Sequence, residues 1–329
     1  KFSSLSVFAA TVMARATPGN VMKRSPAPEL VNGKYIVDRQ TEFANSAVYT
    51  FENGLPEGLF PSTWGNGPTH EYLADNVKFT DGYMDLWVPG GQTAQPYKCA
   101  EINTRVDNIL YASVRTVAIL SDPIGVCNGK FAGREYAETN ADQRTGMFFY
   151  KSNDQETDIE WLSDPTSGSN GGTRKIFLTN QDANGDGAKT FTAIEPPADA
   201  TSAEHEYRLD WTEGRVQWFI DGVQVFEATE DVPSTPGPWL WNNWSNGDDQ
   251  WSVGPPAEDA VFRIKKIEMY YNTLKSERLV FCFEENRAPL VAFDDLTNKD
   301  EQGIRSYIVY EQNHAYTWKY NILDILNTY

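Results

Sequence analysis

The sequence predicts an all-β protein, a jelly-roll sandwich of two sheets, on three observations. Between Val48 and Tyr271 it consists of short runs rich in β-branched and aromatic residues, separated by Gly, Pro, Asn and Asp. No segment in that region has an amphipathic helical pattern of useful length. Asp221-Gly222 separates two such runs, which is a strong hairpin signal. Many short strands at regular spacing are typical of a sandwich or jelly roll.

The composition limits the class of partner. The chain has 329 residues, of which 10 are Trp, 16 Tyr and 17 Phe, enough for a sizeable core. Its formal net charge of −18 argues against nucleic acid, because phosphates would repel it, and is compatible with a neutral polysaccharide. No segment approaches the roughly 20 apolar residues of a membrane-spanning helix. We therefore expect no membrane partner. The protein is also expected to be a monomer.

The first residues have the pattern of an export signal. A basic residue, Lys1, precedes a short apolar run, and Ala14-Arg15-Ala16 fits the small-residue cleavage pattern. Residues 1–16 are therefore predicted to be a secretory signal peptide with a truncated start. Residues 17–30, which contain Lys23-Arg24, are interpreted as a pro-segment or a linker. The mature protein is expected outside the cell, with association with the cell wall as an alternative.

Three acidic residues occupy alternate positions in the segment Glu156–Leu162, namely Glu156, Asp158 and Glu160. The intervening Ile and the following Trp and Leu favour a strand, in which alternate side chains share a face. Three like charges within about 13 Å raise one another's pKa, a cost that a fold rarely accepts without use. Two carboxyl groups that titrate apart suit a retaining glycosidase. The alternative is a solvated acidic edge strand.

Several segments together resemble one enzyme family. Glu156–Leu162 is similar to the signature strand of family 16 glycoside hydrolases, and His205–Trp211 with Val216–Val223 resemble that family's paired strands. Pro233–Pro238 and Trp239–Trp244 resemble its next loop and cleft strand. The resemblance implies a concanavalin A-like sandwich with a concave substrate cleft. It places the chain with the fungal-type β-glucanases and cell-wall transglycosylases.

The resemblance also implies the role of each acid. Glu156 would be the nucleophile, Glu160 the acid/base, and Asp158 the helper between them. The spacing has no extra residue before Glu160, as in licheninases and wall transglycosylases. Core packing is the alternative role for the Trp residues of a sandwich. The candidate substrate-binding residues, on grounds of ring stacking or family position, are Glu101, Trp161, Trp241, Asn243, Trp244 and Trp251.

The predicted activity is endo-hydrolysis of β-1,3- or mixed β-1,3/1,4-glucan with retention, without a cofactor. Two alternatives remain open at this point: a wall transglycosylase that uses the same three acids, and a glucan-binding lectin on the same sandwich. Retention of three converging acids counts against the lectin.

The prediction for the three cysteines rests on their position in the chain. Cys99 and Cys127 both lie in the family-like region and are predicted to form a disulfide, which leaves Cys282 unpaired. The catalytic domain is predicted over residues 31–273, and residues 274–329 form an unassigned tail that is either disordered or an artefact of gene prediction.

Residues 130–146 interrupt the family pattern. This highly charged 17-residue segment separates two pieces that would otherwise form one strand beside Glu156–Leu162. It is either a surface loop or an unspliced intron, since Gly129-Lys130-Phe131 can encode a splice donor.

No metal is predicted. Asp182–Gly187 has the pattern of the first half of an EF-hand loop, but Ala193 stands at the twelfth position, where that loop needs a Glu. In some family members an Asp on the last strand binds calcium, and here that strand carries Lys265 and Lys266. The Asp182–Gly187 segment is therefore interpreted as a polar turn.

Overall fold

The computed structural model describes residues 24–37, 41–128, 147–150, 152, 154–274, 292–299, 305–311 and 314–320. The predictions for the signal peptide, for residues 130–146 and for Cys282 fall outside these residues, and residues 17–30 are described only from residue 24. The chain divides into two compact units, residues 1–273 and residues 274–329. Among the described residues, no helix has the length and apolar character required to cross a bilayer.

The described part of the first unit is built from strands, and its helical segment is one 3-10 turn, Ala74–Asn76. In chain order the strands are β1 (Glu29–Val31), β2 (Lys34–Ile36), β3 (Glu42–Phe43), β4 (Asn45–Thr50), β5 (Leu59–Pro61), β6 (Gly65–Asn66), β7 (His70–Tyr72), β8 (Val77–Thr80), β9 (Tyr83–Val88), β10 (Tyr97–Thr104), β11 (Ile109–Ile119), β12 (Cys127–Asn128), β13 (Met147–Tyr150), β14 (Glu156–Leu162), β15 (Lys175–Asn180), β16 (Thr190–Ile194), β17 (His205–Thr212), β18 (Arg215–Ile220), β19 (Val223–Ala228), β20 (Trp239–Asn243) and β21 (Ala260–Thr273).

Two large sheets form the sandwich. The first has ten strands, in the order β16-β15-β14-β13-β20-β10-β7-β6, with β12 beside β14 and β5 beside β10. The second has eight strands, in the order β19-β18-β17-β11-β21-β9-β8, with β4 beside β21. A small sheet, β1-β2-β3, precedes them. The predicted all-β sandwich is confirmed.

The main hydrophobic core lies between the two large sheets. It contains Ile159 of β14 and Trp241 of β20 from the first sheet, and Val114 of β11 and Leu209 of β17 from the second. Because side chains alternate along a strand, the central strands β10, β14, β15 and β20 each place alternate residues in this core. The remaining residues lie on the opposite face of the ten-stranded sheet.

The hairpin signal is confirmed. Asp221 and Gly222 connect β18 to β19 with φ angles of 49° and 75°, the left-handed values that a two-residue hairpin turn needs. Gly accepts that conformation without steric cost, and Asp tolerates it better than most residues.

Strands β12 and β13 pair with successive parts of β14. Asn128 lies opposite Trp161, and Met147 lies opposite Ile159. A continuous strand would need one residue between these partners, opposite Glu160, whereas 18 residues, 129–146, separate Asn128 from Met147. Seventeen residues are therefore surplus to the register. The two halves of the interrupted strand still pair with β14.

The described part of the second unit is a three-stranded antiparallel sheet. Its strands are β22 (Ala292–Lys299), β23 (Arg305–Glu311) and β24 (His314–Tyr320), in the order β22-β23-β24.

Candidate active site

Strand β14 divides its side chains between two environments. Thr157, Ile159 and Trp161 face the eight-stranded sheet, and Ile159 and Trp161 belong to the main core. Glu156, Asp158 and Glu160 therefore share the opposite face of the ten-stranded sheet, called the acid face below. The register of β14 with β15 runs from Thr157↔Asn180 to Leu162↔Lys175 without a shift, so no bulge separates the acids.

All three acids are buried. Burying a charged carboxylate is costly unless hydrogen bonds or charges compensate it. Gln181, which directly follows β15, supplies one such bond, since its Nε2 donates to Asp158 Oδ2 at 3.1 Å. The backbone N–H of Gln181 also donates to the carbonyl of Glu156 at 3.0 Å, which fixes the position of Gln181 beside β14.

The third acid contacts a thiol. Cys127 Sγ lies 3.9 Å from Glu160 Oε1, in the geometry of a weak S–H donor to a carboxylate. Burial, and next the negative charge of Glu160, raise the pKa of the Cys127 thiol well above its usual value. Cys127 therefore stays protonated and can act as a donor at neutral and acidic pH.

Glu101 lies in β10, also on the acid face, and is the centre of a polar network. Its Oε1 accepts hydrogen bonds from Ser62 Oγ at 2.6 Å and Asn103 Nδ2 at 3.4 Å. Asn242 Nδ2 donates to its Oε2 at 3.2 Å and to the Tyr72 hydroxyl oxygen at 3.1 Å. This network is buried, and it holds the Glu101 carboxylate in one orientation.

Aromatic residues complete the acid face. Trp244 stacks on His70 with ring centroids 5.1 Å apart, and His70 Nε2 lies 3.3 Å from the Tyr72 hydroxyl oxygen. Trp251 packs against Phe177 with centroids 4.9 Å apart. Trp244 and Trp251 belong to a second hydrophobic cluster, which also contains Cys99, Cys127 and Leu162. The sequence predicted Trp244 and Trp251 as site residues, and the structure places both in this cluster.

Three predicted substrate-binding residues lie on the other face. Trp161 and Trp241 are buried in the core between the sheets, where their indole N–H groups donate to Ser121 O at 2.9 Å and Thr116 Oγ1 at 2.8 Å. Asn243 donates to two carbonyls of the eight-stranded sheet and so ties the sheets together. Their assignment to a sugar-binding surface was wrong, because alternation turns these positions away from the acids.

The predicted disulfide between Cys99 and Cys127 is absent, and both are buried free thiols. Strand β20 lies between them: Ala100 pairs with Asn243 on one side of it, and Cys127 forms a bridge with Trp244 on the other. Two strand spacings put the cysteine Cα atoms about 10 Å apart, whereas a disulfide needs less than about 7 Å. Burial raises the pKa of the Cys99 thiol to about 12.

Sequence reasoning missed the residues that hold the acids. Tyr72 and Gln181 belong to no motif, and Asn242 lies inside the Trp239–Trp244 segment but was given no role. The contacts of all three depend on strands that are distant in the chain. For Asn242 a signal existed: if Trp239 packs in the core, as most tryptophans of a sandwich do, alternation along β20 places Asn242 on the acid face. The same count puts Trp241 in the core.

Comparisons with known proteins identify the family. The family model "Glycosyl hydrolases family 16" matches residues 74–254, which include Glu101 and the three acids of β14. A protein named beta-glucanase from Paenibacillus polymyxa is 37% identical over 212 residues, covering 64% of this chain and 76% of that protein. A beta-glucanase from Paenibacillus macerans is 37% identical over 207 residues, covering 61% and 71%. The chain therefore belongs to glycosyl hydrolase family 16 and acts on O-glycosyl bonds.

Solved structures share the fold. A prokaryotic beta-1,3-1,4-glucanase (lichenase) derived from a mouse hindgut metagenome has a TM-score of 0.53 and 19% identity, covering 70% of this chain and 99% of that one. The Bacillus licheniformis beta-glucanase has a TM-score of 0.52 and 19% identity, covering 69% and 98%. At this identity the likeness concerns the sandwich alone.

Proposed function

We propose that the protein is an exported, monomeric endo-β-glucanase that cleaves β-1,3- or mixed β-1,3/1,4-glucan with retention of configuration. The observation that carries the proposal is the row of buried acids, Glu156, Asp158 and Glu160, on one face of an unbulged strand. The name beta-glucanase of the two Paenibacillus relatives supports this substrate class. The N-terminal sequence pattern supports export. Membership of a fungal-type subgroup stays a prediction, because these relatives are bacterial.

The proposed reaction has two displacements. Glu160 donates its proton to the glycosidic oxygen while the Glu156 carboxylate attacks the anomeric carbon, so that the leaving sugar departs as a neutral alcohol. Water then attacks the same carbon, Glu160 takes the proton from this water, and Glu156 is released as a carboxylate. Each displacement inverts the centre, and the pair restores its configuration.

The mechanism requires the two outer carboxyl groups to lie about 5–5.5 Å apart. Their Cα atoms are four strand residues apart, about 13 Å, so the side chains must converge over Asp158. The bond from Gln181 to Asp158 supports this arrangement, because it fixes the carboxylate between the other two. Asp158 is therefore assigned to hydrogen-bond the nucleophile and to tune the charge of the row.

The first prediction separates the roles of the three acids. Glu156→Ala should abolish turnover, and azide should restore part of it as a glycosyl azide of inverted configuration. Glu160→Ala should be milder on substrates with good leaving groups, because these need less protonation. Asp158→Asn should lower the rate without abolishing it. Release of reducing sugar from barley β-glucan and from aryl glucosides measures all three, and wild-type activity in Glu156→Ala would refute the site.

Two measurements test the reaction type: the anomeric configuration of the first product, and the transfer of sugar to an added oligosaccharide acceptor. NMR of the first product formed from a mixed-linkage oligosaccharide should show the β-anomer before mutarotation. The enzyme should also be incubated with β-glucan and a labelled oligosaccharide acceptor. Labelled polymer without net release of reducing sugar would replace hydrolysis by transglycosylation. Calorimetric binding of glucan without turnover would instead identify a lectin.

A further inference from the structure

Three carboxylates from two separate loops meet beside the catalytic strand. Asp182 and Asp186 lie in the loop between β15 and β16, and Asp231 lies in the loop between β19 and β20. One carboxylate oxygen from each lies within 4.8 Å of the others. Two oxygens on opposite sides of a calcium ion, each at about 2.4 Å, are about 4.8 Å apart, so the cluster has the dimensions of one coordination sphere.

Asp231 is the member that points to a ligand. It is 95% buried, with 5% of its surface exposed, and its Oδ2 accepts a hydrogen bond from Thr190 Oγ1 at 2.8 Å. Its Oδ1 has no hydrogen-bond partner among the described residues, although this atom is buried. Within that part of the chain no Lys or Arg pairs with any of the three carboxylates. A buried carboxylate without such compensation is costly, and a bound cation would remove the cost.

A second buried oxygen without a hydrogen-bond partner among the described residues lies at the end of β15. Asn180 is fully buried, and its Nδ2 donates to the carbonyl of Glu230 at 3.0 Å, directly beside Asp231. Its Oδ1 also lacks a hydrogen-bond partner in the described structure. Asn180 pairs with Thr190 in the sheet, so its amide oxygen, the Thr190 hydroxyl and the Asp231 carboxylate occupy one neighbourhood. Amide and carboxylate oxygens are the ligands that calcium prefers.

Backbone hydrogen bonds hold the β15–β16 loop around the Asp182 carboxylate. The backbone N–H groups of Asp186 and Gly187 donate to the two oxygens of Asp182 at 2.9 and 2.8 Å. Gly185 and Gly187 have φ angles of 71° and 83°, which bend the loop tightly. Each Asp182 oxygen keeps a second lone pair for a cation.

We propose that Asp182, Asp186 and Asp231 form a calcium site that joins the β15–β16 loop to the β19–β20 loop. The sequence argued against a metal here because the twelfth loop position is Ala193; the fold supplies the missing carboxylate from Asp231 instead. Ca²⁺ fits better than Mg²⁺, because it accepts irregular sets of six to eight oxygens. The site would also brace Gln181, which precedes Asp182 and binds the Asp158 carboxylate.

Calcium titration of the full chain, stripped with EDTA and dialysed, tests the site. Calorimetry should show one site, and 10 mM CaCl₂ should raise the Tm of the wild type by roughly 3–8 °C. MgCl₂ at the same concentration should raise it less. Asp231→Asn should weaken calcium binding at least tenfold, because it removes one of the three negative charges. The backbone should not be strained by this change, since Asn tolerates the positive φ of residue 231, 53°.

Glu230→Gln is the matched control. It removes the same charge from the neighbouring exposed residue, outside the cluster, and should leave affinity within about twofold of wild type. Should Asp231→Asn fail to fold, Asp186→Asn decides, because Asp186 is exposed and its loss should weaken binding to a similar extent. The proposal is overturned if the wild type binds no calcium. It is equally overturned if the folded cluster variants bind calcium as tightly as the wild type does.

Discussion

Trp241 and Trp244 are three positions apart in the chain and lie in different parts of the molecule. Trp241 is in the core between the sheets and donates to Thr116 Oγ1, whereas Trp244 stacks on His70 on the acid face. The predicted role of each tryptophan therefore depends on the face it occupies, and substitution can distinguish the roles.

We predict that Trp241→Phe reduces the free energy of unfolding by about 1–3 kcal/mol, because it leaves a cavity and an unpaired Thr116 hydroxyl. It should leave the KM for β-glucan within about twofold of wild type. Trp244→Phe, the matched change on the acid face, should raise KM or lower kcat more strongly than it lowers stability. Urea unfolding and steady-state kinetics on the same preparations measure both effects. A larger KM change in Trp241→Phe would contradict the placement.

His70 makes stability depend on pH. Burial lowers its pKa from the usual 6.5 to about 3, so between these values the unfolded chain binds a proton that the folded chain does not. The associated stability is fully present above about pH 6.5 and is lost as the pH falls towards 3. From pH 7 to 4.5 this single group should cost about 2–3 kcal/mol.

The variant His70→Gln tests this dependence. It keeps hydrogen-bonding capacity beside Tyr72 but cannot titrate, so it should lose about 2–3 kcal/mol less than the wild type between pH 7 and 4.5. Urea unfolding at both pH values gives this difference, in which the titration of the shared carboxylates cancels. An equal loss in both proteins would show that His70 is not the group responsible.

At the scale of elements, the interrupted strand beside β14 gives a sharp prediction. Deletion of residues 130–146 leaves Gly129 opposite Glu160 and Met147 opposite Ile159, so β12 and β13 become one strand in unchanged register. We predict that this deletion variant folds and has higher activity on β-glucan than the full chain, because displacements of about 1 Å at a site can cost about a hundredfold in rate.

The control is a deletion shorter by one residue, 131–146. The extra residue shifts Met147–Tyr150 by one position against β14, which destroys the register of the pairing, so this variant should lose stability and activity. Thermal unfolding and release of reducing sugar compare the two deletions. Equal activity of the full chain and the 130–146 deletion would make the segment an ordinary surface loop. Sequencing the transcript tests the intron hypothesis separately.

The confirmed sequence-based predictions rest on strand periodicity, and neglect of it explains the errors at Trp161, Trp241 and Asn243. Glu156–Leu162 is a strand with the predicted bounds, and the hairpin at Asp221-Gly222 forms as expected. Counting alternate positions from Glu156 would have put Trp161 in the core. The contact of Gln181 with Asp158 follows from a strand pairing between β14 and β15 whose register no local pattern encodes.

At the scale of the whole molecule, the order of the strands in the sheet decides whether Cys99 and Cys127 can form a disulfide. Pairing Cys99 with Cys127 was plausible from chain position, but the insertion of β20 between their strands is a global property of the topology. The polar network around Glu101 depends on the same property, because its members come from separate parts of the chain: Ser62, Tyr72, Asn103 and Asn242.

The division of the chain into two units leads to a prediction for truncation after the first unit. The eight-stranded sheet is complete at Thr273, the end of β21, and the family match ends at residue 254. A chain that ends at Leu274 should therefore keep its Tm within a few degrees and its activity on β-glucan within about twofold. A chain that ends at Ile264 removes much of β21, which pairs with β4, β9 and β11, and should not fold. Circular dichroism and activity assays compare the two, and inactivity of the longer chain would show that the second unit is required.

The division of β14 between two environments determines which property of the protein a mutation in this strand changes. Odd-numbered positions from Thr157 to Trp161 affect the core, whereas even-numbered positions from Glu156 to Glu160 carry the proposed chemistry. In a saturation library of this strand, substitutions at the odd-numbered positions should lower the abundance of the folded protein. Substitutions at the three acidic positions should lower glucan cleavage and leave abundance unchanged. Selection for thermal tolerance and selection for substrate range can thus act on one seven-residue segment with little interference.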